Sequence, residues 1–118
     1  MPFDALDRPA RSTVLREHQS VVDAPVADVF AALATALDTG HESTFAADES
    51  RGLIVVQGGW WYRAEYRVSA DPAGTRIAFS LLNVATPAHW AGPITGRAAV
   101  RSAAQDFGAL MDRVRSAL

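Results

Sequence analysis

The side chains able to do chemistry in this chain are few and widely spaced. Its three histidines are His18, His41 and His89, and all eleven basic residues are arginine. Without lysine or cysteine, Schiff-base and thiolate chemistry, disulfides and cysteine-ligated metal are excluded. His41-Glu42 begins like a zinc-protease motif, but Phe45 stands where the second histidine is needed. No metal site and no cofactor is therefore expected. There is no Gly-x-Ser-x-Gly, no phosphate loop and no dinucleotide fingerprint. His18 is the best acid–base candidate, because imidazoles titrate near neutrality. Glu17 cannot orient it, since neighbours in a strand point to opposite faces. Arg16, on the same face as His18, can join it in binding a carboxylate or phenolate. A second group is aromatic. Trp60, Tyr62 and Tyr66 alternate along one strand face, and Asn83, in line with Phe79 and Leu81, can partner a buried tyrosine hydroxyl. Trp61, Arg63, Glu65 and Arg67 on the opposite face read as a solvated charge ladder or, with an exposed Trp61 at its centre, as a partner-binding surface.

The elements that must position these groups can be read from hydrophobic period. Thr13–Val22 alternates with two part-polar faces, which marks an edge strand or one wall of a wet cavity. Asp23-Ala24-Pro25 starts a helix, with the cap at Asp23 or Ala24 and proline in the first turn. Val26, Val29, Phe30, Leu33 and Leu37 are its buried stripe, and Asp38-Thr39-Gly40 ends it. The opposite face (Ala27, Asp28, Ala31, Thr35) is either a plain alanine surface or a homodimer face. Residues 43–48 and 53–57 read as strands about a turn, the second apolar on both faces and so internal to the sheet. Gly58-Gly59 marks a hairpin, and residues 60–70 and 75–85 are strands about a proline turn at 71–74.

The last element is the longest. Stepping at ~100° per residue, Val100, Ala103, Ala104, Phe107, Leu110, Met111, Val114 and Leu118 share one arc of residues 96–118. Thr95 is the expected cap, and Arg113 and Arg115 suit the negative end of the helix dipole. Such a stripe must lie on the strands before it. With residues 1–12 as a flexible lead-in, residues 13–118 form one domain. Its class is α+β: a sheet wrapped around a long C-terminal helix, with one short helix after the first strand.

Composition narrows the function classes. A net charge of −2 without a basic run argues against nucleic acid as the partner. No apolar run approaches the ~20 residues of a membrane span. The polar opening stretch lacks the apolar core of a signal peptide, so a cytoplasmic location is the expectation.

The run Val22-Asp-Ala-Pro-Val-Ala-Asp-Val-Phe-Ala-Ala-Leu33, followed by the meander with turns at Arg51-Gly52 and 71–74 and an amphipathic last helix, resembles the SRPBCC superfamily. This is the START-like or helix-grip fold, and the likeness is closest to its polyketide cyclase/dehydrase and lipid-transport group. The resemblance implies a curved antiparallel sheet gripping the last helix, with an apolar cavity that holds a small hydrophobic or amphipathic molecule, lipid- or polyketide-like. It implies no shared catalytic set. On that reading Trp60, Tyr62, Tyr66, Phe79, Leu81, Asn83, Phe107 and Met111 line the ligand site. Two other readings stand beside it. One is a cyclase- or dehydratase-type enzyme using His18, Arg16 or a cavity tyrosine. The other is a non-catalytic interaction module. The chain is short for this pattern, with little room between Leu37 and Ser43 for a second small helix. Its cavity is thus expected to be small, open at one end or completed by a second subunit.

Overall fold

The computed structural model describes residues 6–38, 44–58, 61–85 and 89–118. Five strands are described: β1 (Thr13–Val22), β2 (Thr44–Asp48), β3 (Leu53–Gly58), β4 (Tyr62–Asp71) and β5 (Gly74–Asn83). They form one antiparallel sheet in the order β1-β5-β4-β3-β2. The first strand thus pairs with the last, while β2 to β5 run as a meander, and the sheet is open at β1 and β2. Helix α1 (Val26–Leu37) follows β1; a short helix α2 (Ala91–Thr95) leads into the long α3 (Arg97–Ser116). The class is α+β, as the hydrophobic periods require.

Register shows which side chains share a face. One row crosses the sheet through Ala47, Ile54, Tyr66, Phe79 and His18, and the next through Phe45, Val56, Ala64, Leu81 and Arg16. Helices α1 and α3 cover this face, and Val29, Phe30 and Leu33 of α1 join Ala103, Phe107, Leu110, Met111 and Val114 of α3 in a single core with Ile54, Tyr66, Ile77, Phe79 and Leu81. Burying such side chains contributes ~1.5–3 kcal/mol each, which holds both helices to the sheet. Ala104 and Leu118, expected in the α3 stripe, are exposed. They sit at the margin of the arc and beyond the helix end.

Helix starts differ from expectation by a residue or two. Pro25, with extended backbone, is itself the N-cap of α1. Gly96 fills that place for α3, where no side chain caps the helix. The reason lies in α2: its carbonyls already lead into α3, and Gly96 N–H donates to Gly92 at 2.9 Å. Asp48, by contrast, caps the single turn at Glu49–Arg51 with its carboxylate. Gly52 closes that turn at φ 60°, where a Cβ would strike the Val68 carbonyl.

Strand β1 is an edge, and two arginines blunt it. Its ladder slips between Val14 and Arg16, Arg16 donates to the Leu15 carbonyl at 2.7 Å, and Arg115 of α3 donates to the Val21 carbonyl at 3.1 Å. A bulge and capped carbonyls leave fewer free groups for another chain to pair with.

The other face of the sheet corrects the charge-ladder expectation. Arg63 is 0% and Glu65 2% exposed. Arg63 donates to Glu65 at 2.8 Å, to the Gln57 side chain at 3.1 Å and to the Leu6 carbonyl at 3.0 Å. Arg8 clasps the same carboxylate with two bonds, at 2.6 and 3.2 Å. Residues at the head of the chain therefore lie over β4, and that cover takes the two charges out of water. Period-two alternation names the face but not what covers it. Trp61 is also buried, under Gly92 and Gly96, where a Cβ on either would meet its side chain; it is not the exposed centre of an interaction surface.

Candidate functional site

Between the sheet, the end of α1 and the middle of α3 lies a cavity of about 150 Å³. Its walls are Tyr62 and Tyr66 from β4, Phe79 and Leu81 from β5, Leu37 from α1, and Ala99, Ala103, Phe107 and Leu110 from α3. Asp106 and Arg113, both exposed, stand at its rim. Beside Phe107, the helix residues involved are 99, 103, 106, 110 and 113, a four-three spacing that keeps one line of α3 over the cavity. The space exists because that line opens with two alanines where larger side chains would fill it.

Five of the residues expected in a ligand site meet here: Tyr62, Tyr66, Phe79, Leu81 and Phe107. Met111, also expected, is 2% exposed and packs in the core instead. Trp60 lies outside the described residues. Asn83 does not serve the tyrosines. It is buried at the end of β5, donating to the His89 carbonyl and accepting from Ala85 N–H at 3.1 Å, and so holds the approach to α2. Of the residues that matter most for polarity, Asp106 and Arg113 are not among the expected site residues, and Arg113 is expected only to suit the helix dipole. Their four-three spacing with Ala99, Ala103 and Leu110 was the available signal, hidden because both look like ordinary solvent-facing charges.

The tyrosines are the polar part of the wall. Neither hydroxyl has a hydrogen-bond partner among the described residues, and neither is fully buried; among those residues the sealed side-chain atom lacking a partner is His18 Nε2. Burial pushes the Tyr62 phenol above its ordinary range, and the Asp106 charge adds to this. Burial raises Tyr66 further, with Tyr62 adding and Arg113 partly opposing. Both phenols therefore stay protonated at neutral pH and act as hydrogen-bond donors. A phenol with a raised pKa is a poor general base at that pH.

His18 and Arg16 lie apart from this cavity. The His18 ring is half-buried beside Phe79 and Phe107, with centroids 6.2 and 6.4 Å away. Those two phenyl rings stack on each other at 5.4 Å, and Tyr66 leans on Phe79 at 5.2 Å. The phenylalanines thus separate the imidazole from the tyrosines. Arg16 is exposed and donates to its neighbouring carbonyl. His89, the other described histidine, is held by the Ala85 carbonyl at 2.6 Å and the Thr13 hydroxyl at 2.8 Å. His41 lies outside the described residues, among which no group of His, Asp and Glu has a metal-ligand arrangement.

No family model, curated protein or solved structure matches the chain. Geometry alone must rank the sites. A larger concavity, about 640 Å³, is an open groove along the alanine face of α1 and the chain end, lined by Asp23, Asp28, Ala31, Thr35 and Leu118 among others. It has no aromatic wall and no convergent polar groups. The cavity between sheet and α3 has an aromatic wall with a few polar side chains in its lining, which is the usual make-up of a small-molecule site. Among the described residues, no helix is long and apolar enough to cross a membrane.

Proposed function

We propose that this chain binds one small hydrophobic or amphipathic molecule in the cavity between sheet and α3, on a compact helix-grip architecture of SRPBCC type. The pairing of the first strand with the last, α1 directly after β1, and the long helix laid across the same face all support that architecture. The observation that carries the function is the cavity itself: a mostly apolar chamber lined by two tyrosines whose hydroxyls have no hydrogen-bond partner among the described residues. Its size restricts the guest. A cavity of about 150 Å³ lined by apolar side chains accommodates benzene, so the guest's buried part is of single-ring size, smaller than a polyketide or a lipid chain. Binding is favoured over catalysis because His18 stands behind Phe79 and Phe107.

The test is to titrate toluene against the wild type and against Ala99→Leu, following both by calorimetry and by melting temperature. Ala99 is half-buried and lines the cavity. The wild type should bind and be stabilised by toluene, while the variant should bind it at least tenfold more weakly. No binding by a folded wild type, together with a more stable Ala99→Leu, would mark the cavity as a packing void.

A further inference from the structure

The geometry points to an organic acid as the guest: a ring-sized apolar body inside the cavity and a carboxylate at its rim, held by Arg113. This deepens the binding reading above and rests on it. The rim offers two opposite charges, and their circumstances differ. Asp106 already has a partner, accepting from the Ser102 hydroxyl at 2.8 Å. Arg113, two turns further along the same helix line, takes part in no ion pair and no side-chain hydrogen bond among the described residues. Arginine carries five N–H donors and no acceptor, in a fork that matches a carboxylate.

The tyrosines add to the same imbalance. Both tyrosines line the cavity, neither hydroxyl has a hydrogen-bond partner among the described residues, and both phenols are held protonated by burial, so each has a proton to donate. Arg113 lines the same cavity as both tyrosines, and its charge partly offsets the upward shift that burial, Tyr62 and Asp106 give the Tyr66 phenol. The lining thus offers three donor groups against a single carboxylate already engaged. A head group that only accepts, such as a carboxylate, satisfies them; an alcohol does so in part, and an ammonium not at all. The sequence reading sought a carboxylate anchor at Arg16 and His18. The folded chain offers one instead from α3, whose packing on β1 and β5 brings Arg113 to a cavity that the β4 tyrosines also line.

Phenylacetate, toluene and benzylamine are suitable probes, since they share a ring and differ in the head. Each is titrated by calorimetry into the wild type, Arg113→Met and Asp106→Asn, at low and moderate salt. Both substitutions fall on exposed positions and should leave the melting temperature nearly unchanged. The expected result is phenylacetate binding about tenfold tighter than toluene, as one charge-assisted bond supplies. That advantage should disappear in Arg113→Met and shrink with salt, while toluene binding is unaltered by the substitution. Phenylacetate no tighter than toluene, or equally tight in Arg113→Met, overturns the acid proposal yet leaves the cavity reading standing. A preference for benzylamine that is lost in Asp106→Asn overturns it in favour of a cationic guest. Toluene failing to bind the wild type removes the cavity reading and this proposal with it.

Discussion

Strand β4 presents two faces that solve burial in opposite ways. Towards the helices it shows Tyr62, Ala64, Tyr66 and Val68, packed among apolar side chains but with a gap left between them and α3. Away from the helices it shows Arg63 and Glu65, fully covered and fully bonded by Arg8, Gln57 and the Leu6 carbonyl. The apolar face tolerates empty space because nothing there demands a partner except two phenols. The charged face tolerates none, since an unpaired ion out of water costs several kcal/mol. Function is therefore sought on the face with the gap, and rigidity on the face without one.

The largest break in that comparison should come from Glu65→Ala. Removing one member of a buried pair strands the other, and a loss of ~3–5 kcal/mol is expected in a urea melt. Replacing both at once, Arg63→Met with Glu65→Leu, should recover most of it, because no charge is then left unmatched. If the single substitution costs under ~1 kcal/mol, Arg8 and its neighbours do not seal the face.

Phe107→Ala probes the other face. In a filled core such a truncation costs ~3–5 kcal/mol. Phe107 already has the cavity on one side, so the cost should fall at or below the bottom of that range. The variant should also bind a bulkier aromatic than toluene, since the enlarged chamber would reach the His18 ring now behind Phe107. A full penalty without any change in binding would show that the gap closes in solution.

The faces should also separate by pH. Burial acts to raise the Glu65 carboxyl, but the bonds from Arg8 and Arg63 outweigh it and hold the group below its ordinary range. A depressed folded value means its contribution is present above the ordinary carboxylate range and is lost as pH falls through that lowered value. Melting temperature should therefore drop in acid, and part of that drop should vanish in Glu65→Gln. The alkaline side reports on the cavity. The chain has only two tyrosines, and both phenols are raised, so stability linked to them is present below the ordinary tyrosine range and lost as pH climbs through the raised values. Ultraviolet titration should show less tyrosinate at the usual phenol pKa of about 10 than two free phenols would give; a normal titration would put both rings in water.

The smallest effect is expected from Arg67→Ala. Its side chain is 58% exposed and stands 3.6 Å from a Glu65 oxygen already bonded to Arg8. A screened, redundant contact should contribute less than ~0.5 kcal/mol. A larger loss in the same urea melt would extend the buried network to a third arginine.

Sequence alone determined the local parts of this protein. The period of two in β4 and β5, the stripe Val29-Phe30-Leu33 and the stripe Phe107-Leu110-Met111-Val114 each reflect a side chain's own direction from the backbone, and they were legible for that reason. So were the Asp71 to Gly74 turn and the edge character of β1, with polar residues on both its faces. What covers a face depends on residues far away in the chain, and only the tertiary structure decided it. Alternation placed Arg63 and Glu65 together on the side opposite the tyrosines. It carried no information that residues from the head of the chain, 57 positions away, would close over them. In the same way nothing local in Asn83 announces that its amide holds the His89 carbonyl, nor in Asp106 and Arg113 that they border a cavity. A cavity is a shortfall of volume between elements. It arises where Ala99 and Ala103 of α3 share a space with Tyr62 and Tyr66 of β4, and how those elements meet is set by the packing of the whole core.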